Sequence, residues 1–375
     1  MALLDPTRLL AIAKKEARQL RRDQRSLVLA FVLPLLLLVL FGYAISWDVR
    51  DIALAVVDHD ATAKSRELVE SFEASGYFTV VARPDDPGAA RGLFARGRAL
   101  LVLVIPPGFA EDLGKGVPVE VQALLDGSDA NTATIAQAYA EATAQSFSQR
   151  VLLRGERLTL PLTAESRVWF NEELASRNMI VPGLVAVIMM IIAALLTSLT
   201  IAREWERGTM EQLAATPVTR LEVVLGKLLP YLAIGFFDTV LSSALGVWIF
   251  DVPFRGFAPL FAGLSLLFLV GSLGLGIFIS AAARSQVLAT QVAMVATFLP
   301  AFLLSGFMYA IEVMPKPLQI ITMLVPARYF LVVTRGIFLK GVGAEVLAPQ
   351  AAVMVLYAVV GLGLAVAKFR KEIQG

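Results

Sequence analysis

Five stretches of this chain, 26–46, 179–202, 257–283, 286–311 and 347–367, each run for more than twenty residues without a charge. A helix rises about 1.5 Å per residue, so about 20 apolar residues cross the ~30 Å hydrocarbon layer of a bilayer. A sixth stretch, 228–250, qualifies with one acid inside it, Asp238. The pattern predicts a polytopic α-helical membrane protein with six transmembrane helices. A further apolar run, 318–339, is interrupted by Pro326, Arg328 and Arg335. Two arginines at mid-bilayer would cost about 2.5–3.5 kcal/mol each, so this run reads as re-entrant or interfacial.

Between the first and second apolar stretches the period changes. Short β-type runs at 52–57, 77–82, 99–105 and 118–125 alternate with helical patterns at 61–74 and 130–153. A Pro84-Asp-Asp-Pro87 turn leads into a further short helix, and Pro106-Pro107 ends the third run. This alternation predicts an α/β domain, a sheet covered by helices, inserted between helices 1 and 2. The 130–153 helix, rich in Ala and Gln, is expected to stand as a stalk. The chain thus divides into 1–25, a first crossing at 26–47, the inserted domain at 48–177, and helices 2–6 at 178–375.

Residues 3–25 form an amphipathic pattern. Leu9, Ile12, Ala13, Ala17 and Leu20 share one side of a helical wheel, and Lys14, Lys15, Arg18, Arg21, Arg22 and Arg25 share the other. Glu16 falls on the apolar side as the single misfit. Such a helix suits the headgroup layer of an anionic leaflet, with membrane lipids as partners. The plainer alternative is a solvated basic helix that only sets topology.

Charge placement fixes the orientation. With the N-terminus inside, fifteen bases fall on the cytoplasmic side: the seven ahead of the first crossing, Arg203, Arg207, Arg220, Lys227, Arg284, Lys368, Arg370 and Lys371. The opposite side holds five in its short loops: Arg255, Lys316, Arg328, Arg335 and Lys340. The positive-inside rule exempts the long 48–177 segment, so both termini are expected in the cytoplasm.

Composition agrees: hydrophobic residues make up 57 % and charged residues 17 %, against roughly half and a quarter in soluble domains. A formal net charge of +2 gives no reason to expect nucleic acid. The chain has no cysteine, which excludes disulfides, thiol catalysis and Cys-ligated metal. Its one histidine, His59, sits between Asp58 and Asp60, but no second histidine completes a metal site or a hydrolytic triad, and a polar turn is the reading. No metal and no catalytic residue is expected. The run from Gly108 to Gly114-Lys115-Gly116 is one residue too long for a phosphate-cradling loop, so the chain carries no ATPase of its own. Gly271, Gly274 and Gly276 lie inside a spanning stretch, where Ser272, Gly276 and Ser280 recur every four residues as a close-packing face. Asp238 is the intramembrane candidate, either handling substrate or protons or hydrogen-bonding to Thr239, Ser242 or another helix.

The loop at 203–227 is the densest in charge. Arg203-Glu-Trp-Glu-Arg-Gly-Thr-Met-Glu-Gln-Leu213 predicts a short helix within 203–217 that Pro217 closes, and Thr219 with Glu222 forms a capping box for the next helix. Laid along the membrane, it would offer a jointed, charged surface to a cytosolic partner; otherwise it is a solvated turn.

These residues, followed by Thr216-Pro217, resemble the coupling segment of ATP-binding-cassette type-2 transporter permeases, most closely bacterial multidrug-type efflux permeases with a large periplasmic domain. The similarity continues through Leu225–Tyr231, Val252–Gly256, Leu304–Phe307, Met314-Pro315, Pro326–Phe330 and Arg335–Gly341. Trp205, Ala214-Ala215 and Met308-Tyr309 depart from the family pattern. The resemblance implies a bacterial inner-membrane permease paired with a second copy or a paralogue, with cytosolic ATPase subunits that use ATP and Mg, and in some relatives a periplasmic adaptor. This chain would bind no cofactor itself. By position, Arg203, Glu204, Glu206, Arg207, Gly208, Thr209, Glu211 and Gln212 would serve ATPase coupling, and Gly208 would set the bend. Helices 179–202 and 286–311 would wall the dimer-centred path, with Pro300 permitting a bend in the latter. Export of amphipathic or hydrophobic compounds is the expected activity. Export of a lipid-linked glycan or other envelope component is an alternative, and a non-transporting receptor or scaffold is the rival of another class.

Overall fold

A computed structural model describes residues 4–45, 51–153, 169–171 and 175–369. Arg370 and Lys371 of the basic tail lie outside the described residues, as do 46–50 and the 154–168 part of the inserted domain. Contacts divide the chain into two units, Met1–Ser46 with Arg167–Gly375, and Trp47–Ser166.

The second unit is built on a four-stranded sheet. Its elements are β1 (Ile52–Asp58), β2 (Phe78–Ala82), β3 (Leu101–Ile105) and β4 (Gln122–Leu125), in spatial order β2-β1-β3-β4. β1 pairs parallel with β2 and β3, and β4 runs antiparallel to β3. Successive strand side chains point to opposite faces, so the unbroken apolar runs of β1 and β3 feed a core on each side. Leu54, Val56, Leu101 and Leu103 meet Leu68 and Phe72 from one helix, Phe109 from a second, and Ala136, Ala140 and Phe147 from the long 130–153 helix. Ala55, Val57, Val102 and Val104 meet Ala90 and Leu93 on the other face. The α/β expectation for these residues holds, with three differences. The 130–153 helix is a wall of the core, not a free stalk. The expected strand 118–125 pairs only from Gln122, which stands opposite Val104, and residues 118–121 lie outside the sheet. The Gly-rich run at 108–116, discounted as a phosphate loop, forms a short helix, Phe109–Lys115, with a left-handed glycine at each end.

In the first unit, α1 (Pro6–Arg22) is followed by α2 (Val28–Ala44), whose opening turn is a π turn at Val28–Val32. Pro34 lies just beyond it and lacks the N–H that would pair with the Ala30 carbonyl, a common setting for a π bulge. Numbering on from the four helices of the second unit, α3 (Ala63–Ala74), α4 (Ala89–Ala95), α5 (Phe109–Lys115) and α6 (Ala130–Leu153), the bundle continues with α7 (Ser176–Glu206). It then runs through α8 (Met210–Ala214), α9 (Arg220–Phe250), α10 (Ala258–Ala283) and α11 (Gln286–Leu303). The last elements are α12 (Lys316–Thr322), α13 (Pro326–Lys340) and α14 (Ala344–Lys368). Five of these, α7, α9, α10, α11 and α14, are long and apolar enough to cross a membrane among the described residues, and α2 is a shorter apolar helix. The chain is a multi-pass membrane protein.

α7 is buried along almost its whole length and packs against α2, α9, α10, α11 and α13. α10 explains the small-residue spacing of the sequence. Gly276 lies so close to α7 that an added Cβ would sit 2.5 Å from the Ala194 carbonyl oxygen, and the Ser280 hydroxyl accepts from the Ile201 and Ala202 amides at 2.9 Å. Gly274 on another side of the same helix abuts Gly361 of α14.

α11 stops at Leu303, short of the expected 311, so Pro300 stands in its last turn. The 318–339 run forms α12 and α13, bent from each other by 80°. Arg335 shows why this run is no plain span. Its guanidinium donates to the carbonyls of Met179 at 3.3 Å and Gly306 at 3.4 Å, so the cation is met inside the protein and kept from lipid.

Candidate functional site

The charged segment is assembled around the cytoplasm-predicted end of α7. Arg203 and Glu204 belong to the last turn of this long helix, not to the separate short helix that the sequence implied. The helix then turns through Gly208, whose φ of +69° only glycine adopts without strain, and the Thr209 amide returns to the Glu204 carbonyl at 3.1 Å. α8 follows as a single turn and a half, with Met210 buried beneath it. Thr219 and Glu222 form the expected capping box: Thr219 Oγ1 accepts from the Glu222 amide at 3.2 Å, and the Glu222 carboxylate accepts from the Thr219 amide at 2.7 Å. The other Glu222 oxygen accepts from the Asp5 amide at 2.7 Å, and Arg8 donates to the Pro217 carbonyl at 2.6 Å. The hairpin is thereby fastened to the start of α1.

Behind the hairpin lies a buried ionic cluster. Lys227, 2 % exposed, places Nζ 2.8 Å from Glu16 Oε2 and 3.2 Å from Glu204 Oε1. Glu204, 3 % exposed, also takes Lys15 at 2.8 Å and the Thr209 hydroxyl. Tyr231 donates to Glu16 Oε1 at 3.4 Å. Arg203 pairs with Asp23 at 2.8 Å. This cluster explains Glu16, the misfit on the apolar face of α1: the stripe Ile12, Glu16, Leu20 is buried against protein, and Glu16 meets a cation there. The sequence marked Glu16 as unusual but could not point to Lys227, 211 positions away.

The candidate coupling residues therefore divide. Glu206, Arg207, Gly208, Glu211 and Gln212 are exposed, Arg203 and Thr209 are half-buried, and Glu204 is turned inward. Glu206 is also held from the side, accepting the Gln286 amide at 2.7 Å, while the Arg284 guanidinium stacks 4.8 Å over the Trp205 ring. Trp205, a departure from the family pattern, thus props the hairpin against the α10–α11 turn.

Two further candidates lie elsewhere. Asp238, in the middle of α9, is 1 % exposed, and neither of its carboxylate oxygens has a hydrogen-bond partner among the described residues. The bonds to Thr239 or Ser242 expected of a packing residue do not form; the Thr239 hydroxyl donates to the Gly235 carbonyl instead, at 2.7 Å. Pro300 is remote from the hairpin in sequence, at the far end of α11 from Gln286. At that end the family-like motifs converge: the Arg255 amide donates to the Phe338 carbonyl at 3.1 Å, and Arg335 holds Gly306.

A bundle of apolar helices thus carries a charged, jointed hairpin at one end. The chain belongs to the ABC-2 family of transporter proteins, whose model matches residues 25–367. It is 36 % identical over 373 residues to the probable multidrug ABC transporter permease YbhS of Escherichia coli K12, covering 99 % of each chain. To the probable multidrug ABC transporter permease YbhR of the same strain it is 31 % identical over 342 residues, 90 % of this chain and 92 % of the relative. To the inner membrane transport permease YhhJ it is 28 % identical over 324 residues, 85 % of each. Members of this family are membrane transport subunits that work with ABC ATPase subunits.

Proposed function

We propose that this chain is the permease half of an exporter that moves amphipathic or hydrophobic compounds out across a bacterial inner membrane. In this reading α2, α7, α9, α10, α11 and α14 are its six crossings, both termini are cytoplasmic, and residues 48–177 face the periplasm, where they shape an exit or receive an adaptor. Two permeases, identical or paralogous, stand over two cytosolic ATPase subunits, which bind and hydrolyse ATP with Mg. The multidrug names of the relatives support the cargo class.

One observation carries the reading: the exposed face of the α7–α8 hairpin is backed by the buried Glu16–Lys227–Glu204 cluster. A load on α8 reaches α7 through Thr209 and Glu204, α9 through Lys227, and α1 through Glu16 and Lys15. Buried ion pairs are screened far less by salt and solvent than exposed ones. Exposed Glu206, Arg207, Glu211 and Gln212 meet the ATPase, Gly208 aims them, and Glu204 is a positioning residue behind them. Asp238 stands as the intramembrane candidate for substrate or proton handling.

Vesicles containing the permease and its ATPase test the reading. Substrate-stimulated ATP hydrolysis across an amphipathic panel is expected, and Glu211→Lys should abolish the stimulation and the co-purification of ATPase in mild detergent. Unchanged stimulation in that variant would remove the hairpin from the coupling path.

A further inference from the structure

A cavity of about 1070 Å³ opens at the end of the helical unit that carries the hairpin, and the coupling reading leaves it without an occupant. Five cations line it: Lys15, Arg18 and Arg22 of α1, Arg203 in the last turn of α7, and Arg207 in the turn beyond. A single carboxylate, Asp23, stands among them. Lys15 is engaged by Glu204 and Arg203 by Asp23, each at 2.8 Å. Arg18, Arg22 and Arg207 are exposed and have no carboxylate within 4.0 Å among the described residues.

Two apolar residues share the lining with the charges. Leu29, in the first turn of α2, and Leu199 of α7 line it together with Gln24 and Gln286, and both helices are proposed membrane crossings. Gln19 borders the same space, and its buried side-chain oxygen has no donor among the described residues. Three chemical demands therefore meet in one cavity: an anion, a hydroxyl donor, and an apolar chain. Inorganic phosphate would satisfy the cations and leave Leu29 and Leu199 facing water. A zwitterionic headgroup would set its own ammonium among five bases. An amphiphile with an anionic, hydroxyl-bearing headgroup meets all three.

We propose that this cavity binds an anionic phospholipid, with phosphatidylglycerol as the simplest headgroup that fits. The phosphate is held by Arg18 and Arg22, which the coupling reading does not use, a glycerol hydroxyl donates to Gln19, and an acyl chain runs along Leu29 and Leu199. Arg203 and Arg207 line the cavity from the end of α7 and the turn beyond it, so the lipid would lie against the hairpin. The proposal rests on the reading that this end of the bundle lies at the membrane surface, but its test needs neither ATPase nor transport.

The test is native mass spectrometry of the purified full chain in non-ionic detergent with added phosphatidylglycerol or phosphatidylcholine. A one-to-one phosphatidylglycerol adduct is expected at concentrations where phosphatidylcholine leaves the chain bare. Arg18→Gln/Arg22→Gln should lower that occupancy at least tenfold. Lys14→Gln/Arg21→Gln removes the same charge from exposed positions of the same helix outside the cavity, and should change it less than twofold. Equal binding of the two lipids, equal loss in both double variants, or displacement by inorganic phosphate at matching concentration would overturn the proposal, the last by assigning the cavity to a free anion. Should the first pair fail to fold, Arg18→Lys/Arg22→Lys together with the wild-type lipid comparison decides. Lipid selectivity that survives alongside failed ATPase coupling would leave this site standing and overturn the transport reading.

Discussion

Lys227 is the buried cation that joins α9 to both α1 and α7 behind the hairpin. It is enclosed by two carboxylates, Glu16 and Glu204, and all three are almost fully withdrawn from solvent. Removing one member of such a set leaves a buried charge without compensation, which costs about 3–5 kcal/mol. Lys227→Met is therefore expected to lower the thermal unfolding temperature in detergent, followed by tryptophan fluorescence at a fixed scan rate. Adding Glu16→Gln removes the stranded acid facing it, and the double variant should recover at least half of the loss, because Glu204 keeps Lys15. A double variant no more stable than Lys227→Met would show that the pair is not coupled. Asp238 has the opposite character: a buried acid with no bonded partner among the described residues. Groups that cost stability without packing benefit persist where function needs them. Asp238→Asn, which keeps the shape and removes the ionisable group, should unfold at the same or a higher temperature while substrate-stimulated ATP hydrolysis falls. Full activity in that variant would return Asp238 to a packing role.

At the scale of elements, legibility followed the physics of each signal. Apolar runs long enough for a bilayer are unambiguous, so each of the six stretches contains a helix, and 130–153 has the bounds the sequence implied. Helix ends were read less well where they depend on distant partners. The uncharged run continues through Leu304–Ile311, yet Gly306 takes a φ of +85° there and Phe307 is buried. The 109–115 helix was hidden by glycines that lower helix propensity but in fact bound it at both ends. Arg203 and Glu204 were grouped with α8 by charge, although hydrogen bonding continues α7 through them. Small-residue spacing was a better guide. An alanine Cβ at Gly276 would stand 2.1 Å from Thr197 Oγ1 and 2.5 Å from a backbone oxygen of Ala194, and backbone cannot swing aside. Gly276→Ala should cost about 1–3 kcal/mol by forcing α7 and α10 apart, measured as a loss of monodisperse protein on heating. Gly263→Ala in the same helix meets nothing within 4 Å and should be neutral or slightly stabilising. Similar effects at the two positions would argue against close α7–α10 contact.

For the whole molecule, the open question raised by the fold is which apolar face meets protein and which meets lipid. Both α11 and α14 expose long apolar sides: Leu288, Val292, Val295 and Leu299 on the first, Val355, Leu356, Val359 and Val360 on the second. In a bilayer, exposure of such residues is no penalty, so burial alone does not separate the two. α11 differs in what lies behind it. Its inner side is a row of small residues, Ala289, Ala293 and Ala301, set tightly against α7, and its first residue is tied to the hairpin through Glu206. In the proposed reading a displacement of the hairpin would be delivered to α11, which is where a dimer-centred path would need it. α14 is joined to the bundle mainly through α10 and has no described bond to the hairpin. The proposed dimer would therefore form across the exposed side of α11, because α7 is already buried within its own protomer. The absence of native cysteine makes the test clean. Val295→Cys in native membranes should give a disulfide-linked dimer under mild oxidation, whereas Val359→Cys should stay monomeric. Nucleotide trapping of the ATPase should change the Val295→Cys yield severalfold. Cross-linking confined to Val359→Cys would place the symmetry axis at α14 and detach the hairpin from the path it is proposed to drive.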